Sequence, residues 1–372
     1  MGPYPHQAPK SVISETNPVG TDGFEFVEFA SHEPDQLEAL FTQMGYQRVA
    51  HHASKAISLW RQGQVNFLLN AESDSHAMRF CNDHGPCAPS MAWRVADAQH
   101  AFEHAIACGA KAYEGNDKSL DVPAIVGVGG SLLYFIDTYN EQGSCYDNAF
   151  VWTGEPNPQP TGNGFYYLDH LTHNVFRGNM DTWWHFYRDL FGFRQIHFFN
   201  IAGKMTGLVS RAITSPCGKI RIPLNESTDD KSQIETYLQK YKGEGIQHIA
   251  VGTENLYDAA DLLAEAGLKF MPGPPETYYN RSQERVKGHE EPLERMQKHG
   301  ILIDGEGVID DRQGNRQTRI LLQIFSKTVI GPIFFEFIQR KGDEGFGEGN
   351  FKALFESIEE EQIRTGELRK TA

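Results

Sequence analysis

Residues 165–193 read FYYLDHLTHNVFRGNMDTWWHFYRDLFGF, and the hydrophobic period changes inside them. The first part, FYYLDHLTHNV, is rich in aromatic and branched side chains and predicts a strand. In GNMDTWWHFYRDLFGF, Asn179 or Asp181 can cap a helix, and Trp184, Tyr187, Leu190 and Phe191 form an apolar stripe. Gly192 supplies the stop. Three strand-like runs follow: RQIHFFNI (194–201), TGLVSRAIT (206–214) and KIRIPLNE (219–226). The order is βαβββ.

The same plan recurs on both sides of this stretch. Downstream, GIQHIAVG (245–252) predicts a strand and NLYDAADLLAEAG (255–267) a helix ending at Gly267. A polar loop over 271–300 precedes the strands RILLQIFS (319–326) and GPIFFEFIQR (331–340). A loop that long inside a compact domain is often functional. Upstream, GFEFVEFAS, the helix DQLEALFTQMG, YQRVAHHAS, AISLWRQG and VNFLLN make one unit. PSMAWRVAD, the helix AQHAFEHAIACGA, AIVGVGG and SLLYFIDT make another. The reading is therefore four βαβββ-like units paired into two domains. We expect a flexible arm over 1–20, a first domain over 21–153, a Pro/Gly-rich linker over 154–164 and a second domain over 165–372.

Strand alternation then sorts the histidines. His170 and His173 are three apart in a strand, so they face opposite sides of the sheet. His170 and His248 each lie in the first strand of a unit, and Glu336 lies in a last strand among Phe334, Phe335, Phe337 and Ile338. A carboxylate buried in such a strand is costly unless something compensates it. Two histidines and one carboxylate with open positions form the facial triad suited to Fe(II) and oxygen chemistry. The spacing alone leaves two other readings open: hydrogen-bonded core histidines, and a Glu336 that points from an edge into water. The faint repeat places Phe26 near the His170 position, Ala92 or Trp93 near His248, and Tyr134 near Glu336, so only the second domain carries the constellation. His173, His185 and His197 are left without a role, with His185 expected on a polar helix face.

Composition narrows the function classes. The net charge of -15 over 372 residues argues against nucleic acid or an anionic membrane as partner. No apolar run is long enough for a membrane span. The first twenty residues lack the basic-then-apolar order of a secretory signal. Five cysteines without a C-x-x-C pair argue against a disulfide scaffold or zinc ribbon, and the cytoplasm is the expected compartment.

Four paired units of this kind resemble the vicinal oxygen chelate superfamily, which implies an α+β fold of open, cupped, glyoxalase-like sheets. Within it, LDHLTHNV, GLVSRAI, IRIPLNE, KSQIETYL, GIQHIAV, LLQIFSK, FFEFIQR and GFGEGNFKALFESIE resemble the 4-hydroxyphenylpyruvate dioxygenase family. The resemblance implies one Fe(2+) per chain held by His170, His248 and Glu336. It implies a substrate pocket that includes Ser210, Asn225, Gln233, Gln247, Gln323, Phe325, Phe346 and Phe351, with Gln233, Gln247 and Gln323 supporting iron-centred catalysis. A C-terminal helix over 350–362 would act as a lid that keeps water from the reaction. The partners implied are an aryl 2-keto acid and O2, within a homodimer or homotetramer. The expected reaction converts 4-hydroxyphenylpyruvate to homogentisate and CO2 in tyrosine catabolism. The alternatives are a hydroxymandelate synthase, an extradiol catechol dioxygenase, a glyoxalase-type lyase and a non-catalytic binding protein of this fold. Pro223, Asn225 and Phe351 favour ring hydroxylation over the synthase.

Overall fold

The structure, a computed structural model, describes residues 8–202, 207–310, 313–347, 349 and 350. The first half runs β1 (Gly23–Ala30), α1 (Pro34–Gln43), β2 (Gln47–His52), β3 (Ile57–Gln62), β4 (Val65–Asn70), α2 (His76–His84), β5 (Cys87–Arg94), α3 (Ala98–Ala107), β6 (Ala124–Val126), β7 (Leu132–Ile136) and β8 (Phe150–Trp152). The second runs β9 (Phe165–Val175), α4 (Met180–Phe191), β10 (Arg194–Ala202), β11 (Gly207–Thr214), β12 (Arg221–Ser227), α5 (Gln233–Tyr241), β13 (Gly245–Thr253) and α6 (Leu256–Glu265). It continues with α7 (Glu276–Asn280), α8 (Ser282–Arg285), α9 (Leu293–His299), β14 (Leu302–Asp310), β15 (Arg316–Phe325) and β16 (Phe334–Lys341).

Each half builds one eight-stranded sheet, in the order β6-β7-β5-β1-β4-β3-β2-β8 and β10-β11-β12-β9-β13-β16-β15-β14. Two units meet along an antiparallel seam, β1 with β5 and β9 with β13, and each first strand also pairs in parallel with the last strand of its own unit. The expected α+β architecture of paired modules is therefore present.

Several elements depart from the sequence reading. The helix α2 joins the first two units, and α5 joins the last two; Ser75 and Ser232 cap them through bonds from Met78 N and Glu235 N. The loop over 271–300 contains α7, α8 and α9, each too short for a helical period to be visible. The strand β14 completes the fourth unit; its Gly305 and Gly307 obscure the alternation. The second unit has the two strands read after its helix, but the first stops at Val126 because Val128–Gly130 turns, and β8, not read from the sequence, pairs with β2 at the opposite edge. From Ser14 the N-terminal segment is tied down: Asn17 Oδ1 accepts Thr21 N at 2.8 Å, and Val19 is buried.

Helices cover one face of each sheet, and α4 buries three of its four predicted stripe residues; Trp184 is half-buried, and Met180 takes the buried place instead. Met180, Tyr187, Leu190 and Phe191 are buried, and Gly192 closes the helix in the left-handed region at φ 71°. The helix face of the second half packs on the first half. Trp93 of β5 stacks on Phe193 and meets Phe191 edge-on, with centroids 5.3 and 4.9 Å apart. Phe335 of β16 lies 5.8 Å from Phe67 and 6.3 Å from Phe29. One apolar core thus runs through both halves. Trp93→Ala removes a ring that both halves contact, and should cost about 3–5 kcal/mol. Denaturant unfolding followed by fluorescence and circular dichroism should show both halves lost in one earlier transition.

Candidate metal centre

The site stands where β9, β13 and β16 lie side by side. His170 faces Ala250 of β13, and Ala250 faces Glu336 of β16; His248 faces Thr172 of β9. Two bulges shape this seam. Between Leu168↔Val251 and His170↔Ala250 the extra residue is Asp169, and between His248↔Thr172 and Ile246↔His173 it is Gln247. A bulge turns two consecutive side chains towards one face. Each histidine is therefore preceded by a polar residue that reaches its own ring. His170 Nδ1 lies 2.8 Å from Asp169 Oδ1, and His248 Nδ1 lies 3.1 Å from Gln247 Oε1. Each Nδ1–H is thus given an acceptor, which presents each Nε2 to the site, where Thr172 Oγ1 also lies 2.9 Å from His248 Nε2.

The three donor atoms close a small triangle. His170 Nε2 lies 3.1 Å from Glu336 Oε2, His248 Nε2 lies 3.4 Å from the same oxygen, and the two Nε2 atoms are 3.3 Å apart. Metal-to-donor bonds of about 2.1 Å at right angles put neighbouring donors about 3.0 Å apart. The triangle is close to one face of an octahedron and leaves the opposite face to other ligands. All three residues are buried, and they form the one group among the described residues able to hold a metal ion.

The other oxygen of Glu336 is held from behind. Gln323 Nε2 donates to Glu336 Oε1 at 2.7 Å, Asn350 Nδ2 donates to Gln323 Oε1 at 2.8 Å, and Tyr278 O–H donates to Asn350 Oδ1 at 2.7 Å. Gly347, at φ +66°, passes so close that a Cβ would stand 2.4 Å from Gln323 Oε1. Asp169 is clamped by Arg340, whose Nε and second terminal nitrogen donate to its two oxygens at 2.6 and 2.8 Å. Arg221 stands 3.5 Å away and reaches Glu344.

Charge follows this geometry. Burial pushes the His170 imidazole down, but the Glu336 and Asp169 carboxylates outweigh it and bring it up to about 9. Burial pushes Glu336 up, and the two histidines more than reverse this, bringing it to about 2. Burial holds His248 below its ordinary value despite Glu336. His173 faces the helices, with Nε2 3.5 Å from Tyr187 Oη, and burial lowers it to about 4. Alternation separates it from His170 as expected. His185 and His197 are exposed.

The cavity over the triangle is lined by Thr172, Phe199, Ser210, Pro223, Gln323, Phe325 and Phe346 besides the three ligands. Of the predicted pocket residues, Ser210, Gln323, Phe325 and Phe346 are on its wall. Asn225 is buried on the strand beside Ser210, in register with it. Gln247 sits behind His248, and Gln233 starts α5, half-buried and off the cavity wall. Phe351 and all but the first residue of the predicted lid helix lie outside the described residues.

Thr172 and Phe199 on the wall and Arg340 and Tyr278 behind it escaped the sequence reading, as did two further residues. Asp169 is a carboxylate inside an apolar strand, the same signal that singled out Glu336. Asn174 lies on the face of His170 four residues on, in register with Asn225. Among the described residues, Ser210 Oγ, Asn225 Oδ1 and both polar atoms of the Asn174 side chain are buried without partners, across three adjacent strands. Such atoms are costly to leave unpaired.

Comparison with known proteins agrees with the geometry. Residues 15–151 match the family model for the N-terminal domain of hydroxyphenylpyruvate dioxygenase, and 167–315 match the glyoxalase, bleomycin resistance protein and dioxygenase superfamily. A 4-hydroxyphenylpyruvate dioxygenase of Pseudomonas aeruginosa is 50% identical over 95% of this chain and 98% of its own length. The chain belongs to the 4-hydroxyphenylpyruvate dioxygenase family. A Vibrio vulnificus relative named hemolysin VllY is 52% identical over 96% of this chain and 99% of its own length. A solved 4-hydroxymandelate synthase mutant from Streptomyces coelicolor shares the fold, with TM-score 0.74 and 21% identity over 92% of this chain and 99% of its own. Among the described residues, no helix is long and apolar enough to cross a membrane.

Two outcomes follow for this family member. Metal-free His170 carries a proton at pH 7 and must lose it to bind a metal. Affinity for Co(II), a redox-stable probe, should rise about tenfold per pH unit and flatten above about pH 9. Calorimetry at pH 7.5 in buffers of differing ionisation heat should show one proton released. Asp169→Asn weakens the acceptor behind His170 and leaves Arg340 without a buried counter-charge. Co(II) affinity should fall about 10–100-fold, and denaturant titration should show about 3–5 kcal/mol of stability lost.

Proposed function

We infer that this protein is an iron(II)-dependent 4-hydroxyphenylpyruvate dioxygenase, converting 4-hydroxyphenylpyruvate and O2 to homogentisate and CO2 in tyrosine catabolism. The observation that carries the reading is the closed triangle of His170, His248 and Glu336, its open side facing an apolar cavity, in a chain half identical to curated enzymes along nearly its whole length. The atoms balance without a second keto acid. One oxygen ends in the new carboxylate, the other on the ring, and the substrate's own carboxylate leaves as CO2.

Iron held by these three residues supplies Lewis acidity towards the keto acid and redox chemistry towards dioxygen. The chain's side chains supply the rest. Asp169 and Gln247 hold the two imidazoles with Nε2 presented, and Gln323 fixes the Glu336 carboxylate so that one oxygen faces the metal position. Phe199, Pro223, Phe325 and Phe346 exclude water and fit an aryl ring. Ser210, Asn225 and Asn174 hold unpaired polar atoms that suit the phenol end of the substrate. Gln233 is assigned no contact with substrate in this arrangement.

The cavity is only about 20 Å³, room for a water molecule and not for an aryl 2-keto acid. The wall must therefore open. The segment carrying Phe346 has glycines at 345, 347 and 349, and we assign the movement to it.

Oxygen uptake with 4-hydroxyphenylpyruvate, with and without added Fe(II), tests the reading. Wild type should consume oxygen only when iron is present and should yield homogentisate. Glu336→Ala should fall by at least about a hundredfold. Full activity in Glu336→Ala would overturn the metal assignment, and 4-hydroxymandelate as product would overturn the ring-hydroxylation assignment.

A further inference from the structure

The first half repeats the frame of the metal site with other residues in it. Glu25 is the extra residue of a bulge between Phe24↔Trp93 and Phe26↔Ala92, as Asp169 is in the second half. Register carries the comparison to the ligands: Phe26 stands for His170 and Tyr134 for Glu336, as the repeat predicted. Ser90, facing Glu28, stands for His248 in place of the expected Ala92 or Trp93, because β5 starts at Cys87, two residues before the strand read from the sequence. The bulge carboxylate has also kept an arginine, since Arg94 Nε donates to Glu25 Oε2 at 2.6 Å.

Beside this pair lies a cavity of about 320 Å³, lined among others by Glu25, Arg61, Gln64, Asn66, Arg94 and Asn157. Arg94 is neutralised by Glu25. Among the described residues Arg61 makes no ion pair; Glu25 reaches it only through Asn66, whose amide donates to Glu25 Oε1 at 3.1 Å. Arg61 is 4% exposed, and among the described residues its hydrogen bonds go to uncharged oxygens: Nε to Asn66 Oδ1 at 2.6 Å, and one terminal nitrogen to Asn157 Oδ1 at 2.5 Å and Pro158 O at 3.1 Å. The rings of Tyr146 and Trp152 lie 5.7 and 5.4 Å from its guanidinium carbon. Its second terminal nitrogen has no hydrogen bond among the described residues. A guanidinium this buried without a counter-anion is costly. A planar donor fork beside a cavity is the arrangement that recognises a carboxylate or phosphate.

We propose that this cavity is a second ligand site that binds a small oxyanion, a carboxylate or phosphate group, with Arg61 as its principal donor and Arg94 and Gln64 beside it. Asn157 and Pro158 belong to the segment between the halves, so the anion is held where the domains join.

Calorimetric titration of the iron-loaded protein with inorganic phosphate, and separately with succinate, distinguishes the two anion classes; heat from either supports the site. Wild type should bind with a dissociation constant of about 1 mM or below. Arg61→Gln should weaken this at least tenfold while turnover of 4-hydroxyphenylpyruvate stays within about twofold. Gln64→Glu is the second variant: Gln64 is exposed at the cavity with Oε1 3.5 Å from Arg94. A carboxylate placed there adds a fixed negative charge to the cavity and should weaken anion binding at least tenfold. No heat in wild type, or heat unchanged in either variant, would overturn the proposal. So would loss of the native oligomer in Arg61→Gln without any anion heat in wild type, which marks the cavity as a contact between copies.

Discussion

Glu336 is a carboxylate with almost no water to solvate it, and much of the second half is arranged around that one charge. It is 2% exposed in a strand whose neighbours are phenylalanine and isoleucine. Left alone it would take up a proton. Two imidazoles and a primary amide face it instead, and they keep it ionised. The positions of those partners depend on the backbone. Without the bulges at Asp169 and Gln247, strict alternation would turn each acceptor to the face opposite its histidine. The bulges let a period-two structure present two polar neighbours on one side. The remaining supports follow outward: Arg340 holds Asp169, and Asn350 and Tyr278 hold Gln323.

How much of this was legible in the sequence depends on the range of the interaction. Alternation within β9 is local, so His170 could be separated from His173 by counting. The apolar stripe of α4 and its glycine stop are local as well. Bulges are not local: an extra residue is defined only against a partner strand, and β13 is about seventy residues away. That is why Asp169 was passed over and why the contact of Gln247 with the neighbouring ring went unread. The repeat comparison fell on Ala92 or Trp93 and not Ser90 because the start of β5 was placed two residues late. Short elements such as α7, α8 and α9 were missed for a different reason, since one turn of helix carries no period. The identity of the substrate came from resemblance to a family, because a facial triad alone suits several oxygen reactions.

The two halves share one frame and differ in what the frame holds. Both keep the seam, a bulge at its carboxylate (Glu25 and Asp169) and an arginine paired to that carboxylate. Phe26 and Tyr134 fill the first cup, their rings 5.6 Å apart, where His170 and Glu336 face the second. Glu28 lies in the same cup and is satisfied by Ser90, Ser119 and Asn70, so its charge needs no metal. The comparison separates folding from chemistry: the bulged seam is common to both halves and is therefore part of the fold, and the ligands are what the second half added to it.

Charge balance connects the fold to the substrate. Around the triangle, Glu336, Asp169 and Glu344 face Arg340 and Arg221. Three carboxylates against two guanidiniums leave one negative charge in excess. In the metal-free protein the raised His170 offsets it with a proton. A divalent cation displaces that proton and leaves one positive charge in excess. A monoanionic keto acid then brings the whole group to neutrality inside a cavity that excludes water. An acidic protein with a net charge of -15 can in this way draw in an anion. The attraction is local and depends on the metal.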